Sequence, residues 1–114
     1  WFFSRGIEMI QDSDRKIVSE FRSRLEAIIP ILDLRVFGSR ARGDATEESD
    51  LDVFIKITEL DRSCREKISD LAWEVGFKYD LVISTFVVTE AQVERGAMGA
   101  SPLLSKVLQE GIAI

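Results

Sequence analysis

The sequence predicts one α/β (α+β) domain spanning residues 1–114, with a small mixed β-sheet flanked by helices. Three observations carry this expectation. The length of 114 residues lies within the roughly 100 to 200 residues of a single domain. Hydrophobic residues make up 46% and charged residues 31% of the chain, the balance of a sequence that can bury a core. The spacing of apolar residues alternates between helical and extended periods in the order α, β, β, α, β, α, α, with a short final strand at Ile112 to Ile114.

Each element has its own signal. Trp1 stands where Met would open a chain, so residues 1–8 are set aside as an added, trimmed or disordered end. Ile17, Phe21, Leu25 and Ile28 recur at spacings of four, four and three, with Asp12 or Ser13 available as a cap and Pro30 ending the run. Ile31 to Phe37 reads as a first strand turning sharply at Gly38, and Leu51 to Ile57 as a second. Asp61 caps a helix whose buried stripe is Cys64, Ile68, Leu71, Ala72 and Val75, closed by Gly76. On that stripe Cys64 reads as a small hydrophobe before it reads as a reactive thiol. Tyr79 to Val88 is an apolar third strand interrupted by Asp80. Thr89 and Gln92 form a capping box for a short helix ending at Gly96. Ser101 and Pro102 open the last helix, with Leu103, Leu104, Val107 and Leu108 inward and Gly111 at its end. Trp73 is expected to pack internally.

Composition narrows the chemistry. Fifteen Lys plus Arg against twenty Asp plus Glu give a net charge of -5, which lacks the broad basic field of non-specific nucleic-acid binding. With no His, His-based triads, zinc sites and imidazole acid–base chemistry are excluded. The single cysteine forms no internal disulfide, and a secretory leader pattern is missing, so a cytoplasmic location is expected. No apolar run approaches the ~18 residues of a membrane helix.

The chemistry concentrates in residues 38–55, GSRARGDATEESDLDVFI. The two-glycine spacing matches a P-loop, but Asp44 stands where the phosphate-binding Lys belongs, so a Walker-type site is rejected. What remains is a strand turning at Gly38, with the Ser39 hydroxyl and amide and the charges of Arg40 and Arg42 suited to a phosphate chain; a solvent-facing role for either arginine stays open. Asp50 and Asp52 stand two apart at the start of a strand, so the pleat sends both to one face while Leu51, Val53 and Ile55 point to the other. Carboxylates so close repel unless a cation lies between them, and Mg²⁺ fits, since it binds through one or two carboxylates and completes its shell with water and phosphate oxygens. Asp80 is the third point: on a strand beside Leu51 to Ile57 it would join the pair in a cluster able to hold two divalent ions. The alternative for Asp80 is a salt bridge to Lys78 or an arginine.

Taken together, Gly38-Ser39, Asp50-x-Asp52 entering an apolar strand, and Asp80 further on resemble the nucleotidyltransferases of the DNA polymerase beta superfamily. The wording G-S-R-A-R-G followed by S-D-L-D-V is similar to the minimal nucleotidyltransferase (MNT) branch. The resemblance implies a polymerase beta-like fold, with Gly38 and Ser39 holding the triphosphate, Asp50 and Asp52 binding Mg²⁺, and Asp80 sharing a metal and helping to activate an acceptor hydroxyl. It further implies ATP as substrate, two Mg²⁺ ions, and pairing with a HEPN-type toxin to which the MNT antitoxin transfers AMP, most plausibly on a tyrosine. Two other readings stand beside this one: a freestanding or homo-oligomeric nucleotidyltransferase for a small molecule, and an antitoxin that acts by binding alone. Direct nucleic-acid binding is disfavoured by the acidic balance.

Overall fold

The computed structural model describes residues 10–96 and 101–114; the expectation for residues 1–8 lies outside them. In chain order the elements are α1 (Asp12–Glu26), β1 (Ile31–Phe37), α2 (Ser39–Arg42), β2 (Leu51–Ile57), α3 (Arg62–Lys78), β3 (Ile83–Thr89), α4 (Glu90–Arg95), α5 (Pro102–Glu110) and β4 (Ile112–Ala113). The sheet runs β3-β2-β1-β4, with β1 antiparallel to both β2 and β4, and β2 parallel to β3. It is therefore mixed, as expected. A parallel pair needs a crossover, and α3 supplies it.

Period-two alternation in β2 assigns the two faces of the sheet. Leu51, Val53, Ile55 and Ile57 are fully buried with Phe21 and Leu25 of α1 and Ile68 and Val75 of α3. Phe54 faces the other way, into a smaller cluster with Val88, Leu104 and Val107. The edge of α1 nearest α3 is laced by Arg24 to Glu74 at 2.9 Å and Lys78 to Glu20 at 3.0 Å. These exposed pairs add little stability beside the apolar burial. No helix among the described residues is long and apolar enough to cross a membrane.

Asp61 accepts from the Cys64 amide at 2.7 Å, the Thr89–Gln92 capping box is present, and Ser101 accepts from the Leu104 amide at 3.3 Å. Four local expectations need correction. The first helix begins at Asp12 with Gln11 in the capping position and no side-chain cap, so neither Asp12 nor Ser13 has that task. Ile28 lies past its end and is exposed, while Ile29 turns inward. In α5 only Leu104 and Val107 of the four expected residues are buried; Leu103 and Leu108 are exposed. Trp73 does not pack internally: it is 67% exposed and stacks on the equally exposed Phe77 with centroids 5.1 Å apart.

The largest correction concerns the end of α3 and the start of the third strand. Gly76 does not close the helix, which runs on to Lys78. The stop is a Schellman turn: the Leu81 amide donates to the Gly76 carbonyl at 2.9 Å and the Asp80 amide to the Phe77 carbonyl at 3.3 Å. That turn requires a left-handed residue, and Asp80 has φ 57. Asp is one of the few residue types besides Gly that tolerates this region, because its short polar side chain can hydrogen-bond locally. The third strand accordingly starts at Ile83 and not at Tyr79.

Candidate active site

β1 and β2 meet at their site ends as Phe37 opposite Asp52. The chain then turns at Gly38, whose φ of 78 favours glycine. A side chain there would also displace the Asp52 carboxylate, whose Oδ2 a Cβ would meet. The Gly38 carbonyl accepts from the amides of Ala41 and Arg42 at 3.1 and 3.0 Å, opening the one-turn helix α2, where the sequence suggested only a sharp loop. Ser39 is the first residue of that turn and half-buried. The Asp52 carboxylate therefore lies against the Gly38 backbone, with Ser39 next in the chain.

Asp52 lies on β2 and Asp50 just before it, close enough for its charge to act on Asp52. Burial pushes the Asp52 carboxyl above its ordinary range, the charge of Asp50 pushes it further, and Arg42 pulls it back. Opposite Asp52 in the parallel register of β2 and β3 stands Ser84, which is exposed and shares its face. The sequence reading missed Ser84, because a strand drawn from Tyr79 left its register with β2 undetermined.

The two arginines, equivalent in sequence, part company in space. Arg42 is partly exposed, its Nε 3.4 Å from Asp44, and its charge reaches Asp52. Arg40 is turned away from open space. Its side chain is 9% exposed; Nη1 donates to Asp14 Oδ1 and Oδ2 at 2.9 and 3.2 Å, Nε to the Ser49 carbonyl at 2.9 Å and Nη2 to the Glu47 carbonyl at 3.2 Å. Arg40 thus commits Nε, Nη1 and Nη2 to Asp14 and the acid loop, where the sequence offered it to phosphates or to solvent. Asp14, the single buried charged residue among those described, gave no sequence signal beyond an acid in the first turn of a helix.

Asp80 does not join the pair. It sits in the Schellman turn and helps line a cavity of about 720 Å³ with Ser69, Trp73 and Phe77 of α3 and Thr85 of β3. Thr85 alternates with Ser84 and so lies on the α3 side of the sheet, whereas Asp52 lies on the side of Phe54. Among the described residues no group of three acidic, Cys or His side chains is placed to hold a metal ion. The alternative for Asp80, a bridge to Lys78, is not formed either, because Lys78 turns to Glu20. Cys64 is half-buried against the core, and its thiol is pushed up by burial, the reverse of an activated nucleophile.

A mixed sheet with a glycine turn abutting the Asp52 carboxylate of a central strand is an α/β arrangement. Comparison with known proteins makes the class specific. Residues 15–114 match the nucleotidyltransferase domain family, and the chain belongs to it; the protein is a nucleotidyltransferase. Two proteins of Methanocaldococcus jannaschii, each named a "Putative protein adenylyltransferase", are 35% identical over 82 residues and 36% identical over 81 residues. Each match spans 71% of this chain, and 77% and 71% of the respective relative. A solved minimal nucleotidyltransferase superposes with TM-score 0.56 at 26% identity, covering 89% of this chain and 95% of that one. The toxin–antitoxin MntA–HpeT structure superposes with TM-score 0.59 at 20% identity, covering 88% and 70%.

Proposed function

We propose that this chain transfers AMP from ATP to a hydroxyl of a partner protein, a tyrosine of a HEPN-type toxin, and thereby acts as its antitoxin. The observation that carries the reading is the packing of Asp52, beside Asp50, against the backbone of Gly38. It sets one carboxylate, within electrostatic reach of a second, next to a turn suited to close approach of a triphosphate. The named activity of the two archaeal relatives supports adenylyl transfer to protein, and the described toxin–antitoxin pairing of the structural neighbour supports a toxin as the acceptor.

The donor set suits Mg²⁺. Asp52 is destabilised as an anion by burial and by Asp50, and a cation placed between them relieves both effects. Bound there, the ion would neutralise phosphate charge and draw phosphate oxygens toward the site. The chain's own groups do the rest. Gly38 admits the phosphates, Ser39 offers a hydroxyl and amide to the departing ones, and Arg42 adds positive charge at the rim. In the reaction the acceptor oxygen forms a bond to the α-phosphorus, the bond from that phosphorus to the bridging oxygen breaks, pyrophosphate leaves, and the acceptor proton passes to solvent.

With α-labelled ATP, Mg²⁺ and the purified toxin, label appears on a toxin tyrosine, and the Asp50→Asn, Asp52→Asn variant gives none. One observation favours a second reading, neutralisation by binding alone: the third acid is not gathered with the other two. Toxin neutralisation by the double variant at full strength would select that reading.

A further inference from the structure

We infer that Arg40 and Asp14 are a positioning pair that fixes the acid loop, and with it Asp50, without touching the nucleotide. The loop from Asp44 to Asp50 arches over a cleft of about 280 Å³ lined by Gln11, Asp14, Arg40, Thr46 and Glu47. Its internal ties are short-range, the Thr46 amide to Ser49 Oγ at 3.0 Å and the Ser49 amide to the Thr46 carbonyl at 3.1 Å. The Asp44 amide ties its start to the Ser39 carbonyl at 3.1 Å; its far end is joined to the fold by the Arg40 guanidinium, which binds the carbonyls of Glu47 and Ser49 while both Asp14 oxygens hold its other end to α1. Ser49 immediately precedes Asp50, so the anchored carbonyl belongs to the peptide unit that delivers the acid to β2.

A planar fork suits this task and an ammonium does not. One guanidinium reaches three directions at fixed angles, whereas Lys offers a single point charge on a flexible stem. The ion pair is largely withdrawn from water, so removing either partner strands the other's charge. Displacement of a carboxylate by a fraction of an ångström is enough to weaken a metal site that depends on support from residues behind its ligands.

The inference rests on reading Asp50 and Asp52 as the metal pair, and the test keeps the two apart. Hydrogen exchange of the full chain is compared among wild type, Arg40→Lys and Asp14→Asn, and Mn²⁺ affinity is measured on the same proteins by calorimetry. Exchange at residues 45–50 is expected to accelerate about tenfold or more in both variants while β1 and α3 stay protected, with Mn²⁺ binding weakened about 10- to 100-fold. Unchanged loop exchange, or acceleration shared equally by every element, overturns the inference. So does loosening of the loop with Mn²⁺ affinity intact, or unchanged exchange with weaker binding of metal-free ATP, the signature of a phosphate-binding Arg40. If wild type binds no Mn²⁺ at all, the metal reading fails, and the clamp is judged on exchange alone.

Discussion

Under the proposed function, Asp52 is the residue on which stability and activity pull in opposite directions. Its carboxyl titrates above the ordinary range because it is buried and faces Asp50. Between the unfolded and the folded values the native chain holds a proton that the unfolded chain has released. The associated stabilisation is present below the unfolded value and is lost as pH rises through the folded one. Asp52→Asn should therefore leave the metal-free protein as stable as wild type or more so, while abolishing transfer; thermal denaturation and label transfer read the two halves. Metal binding needs the ionised form, so Mn²⁺ affinity is expected to fall as pH drops through that raised value. An affinity insensitive to pH down to the ordinary Asp range would contradict the assignment of Asp52 as ligand.

Asp80 shows why one residue can mislead. From sequence, an acid inside an apolar run looks misplaced unless it has chemistry to perform. In space it supplies the left-handed residue that stops α3. The two explanations predict opposite outcomes for Asp80→Gly. A helix stop is kept or improved by Gly, with stability unchanged or raised by up to about 1 kcal/mol; a ligand or base would be lost together with activity. Denaturant melts and turnover on the one variant distinguish them.

Among the elements, two strands and the starts of three helices were legible to the residue. Ile31–Phe37 and Leu51–Ile57 match their predicted bounds because apolar alternation ends there at Gly38 and begins at the acids. The Thr89–Gln92 and Ser101–Pro102 signals marked the starts of α4 and α5. Gly96 and Gly111 end α4 and α5 as read, but Gly76 does not end α3. Gly76 resembled a helix end, but its missing side chain makes room for the returning chain: a Cβ there would lie 2.6 Å from the Leu81 carbonyl oxygen. That contact is between residues five apart in sequence and depends on the turn's geometry, which local propensity does not encode. Gly76→Ala therefore separates propensity from packing. Helix propensity alone predicts a gain of about 1 kcal/mol, whereas the clash predicts a net loss of about 1 to 3 kcal/mol. A stabilised variant in urea titration would show that the turn yields.

At the scale of the whole molecule, the sheet order β3-β2-β1-β4 places Asp52 on a central strand, with Asp50 just before it, between β1 and its turn on one side and β3 on the other. Sequence supplied the pair and the turn, because both lie within residues 38–52. It did not supply the register with β3, the tie from Arg40 to Asp14, or the side of the sheet on which Asp80 falls, since each depends on where distant segments pack. The same distinction governs stability. Phe21 is fully buried under β2, and Phe21→Ala should cost about 3 to 5 kcal/mol. Trp73 and Phe77 stack in the open, so replacing both by Ser should cost under about 1 kcal/mol. Equal losses in the two would mean that the α3 surface is part of the folded core.

Titration of Mn²⁺ into wild type, Asp50→Asn, Asp52→Asn and Asp80→Asn tests the site most directly. The acid pair beside Gly38 predicts that either of the first two substitutions removes binding and that Asp80→Asn keeps it within about threefold of wild type. Loss of binding in Asp80→Asn as complete as in Asp52→Asn would contradict the account and return Asp80 to the metal.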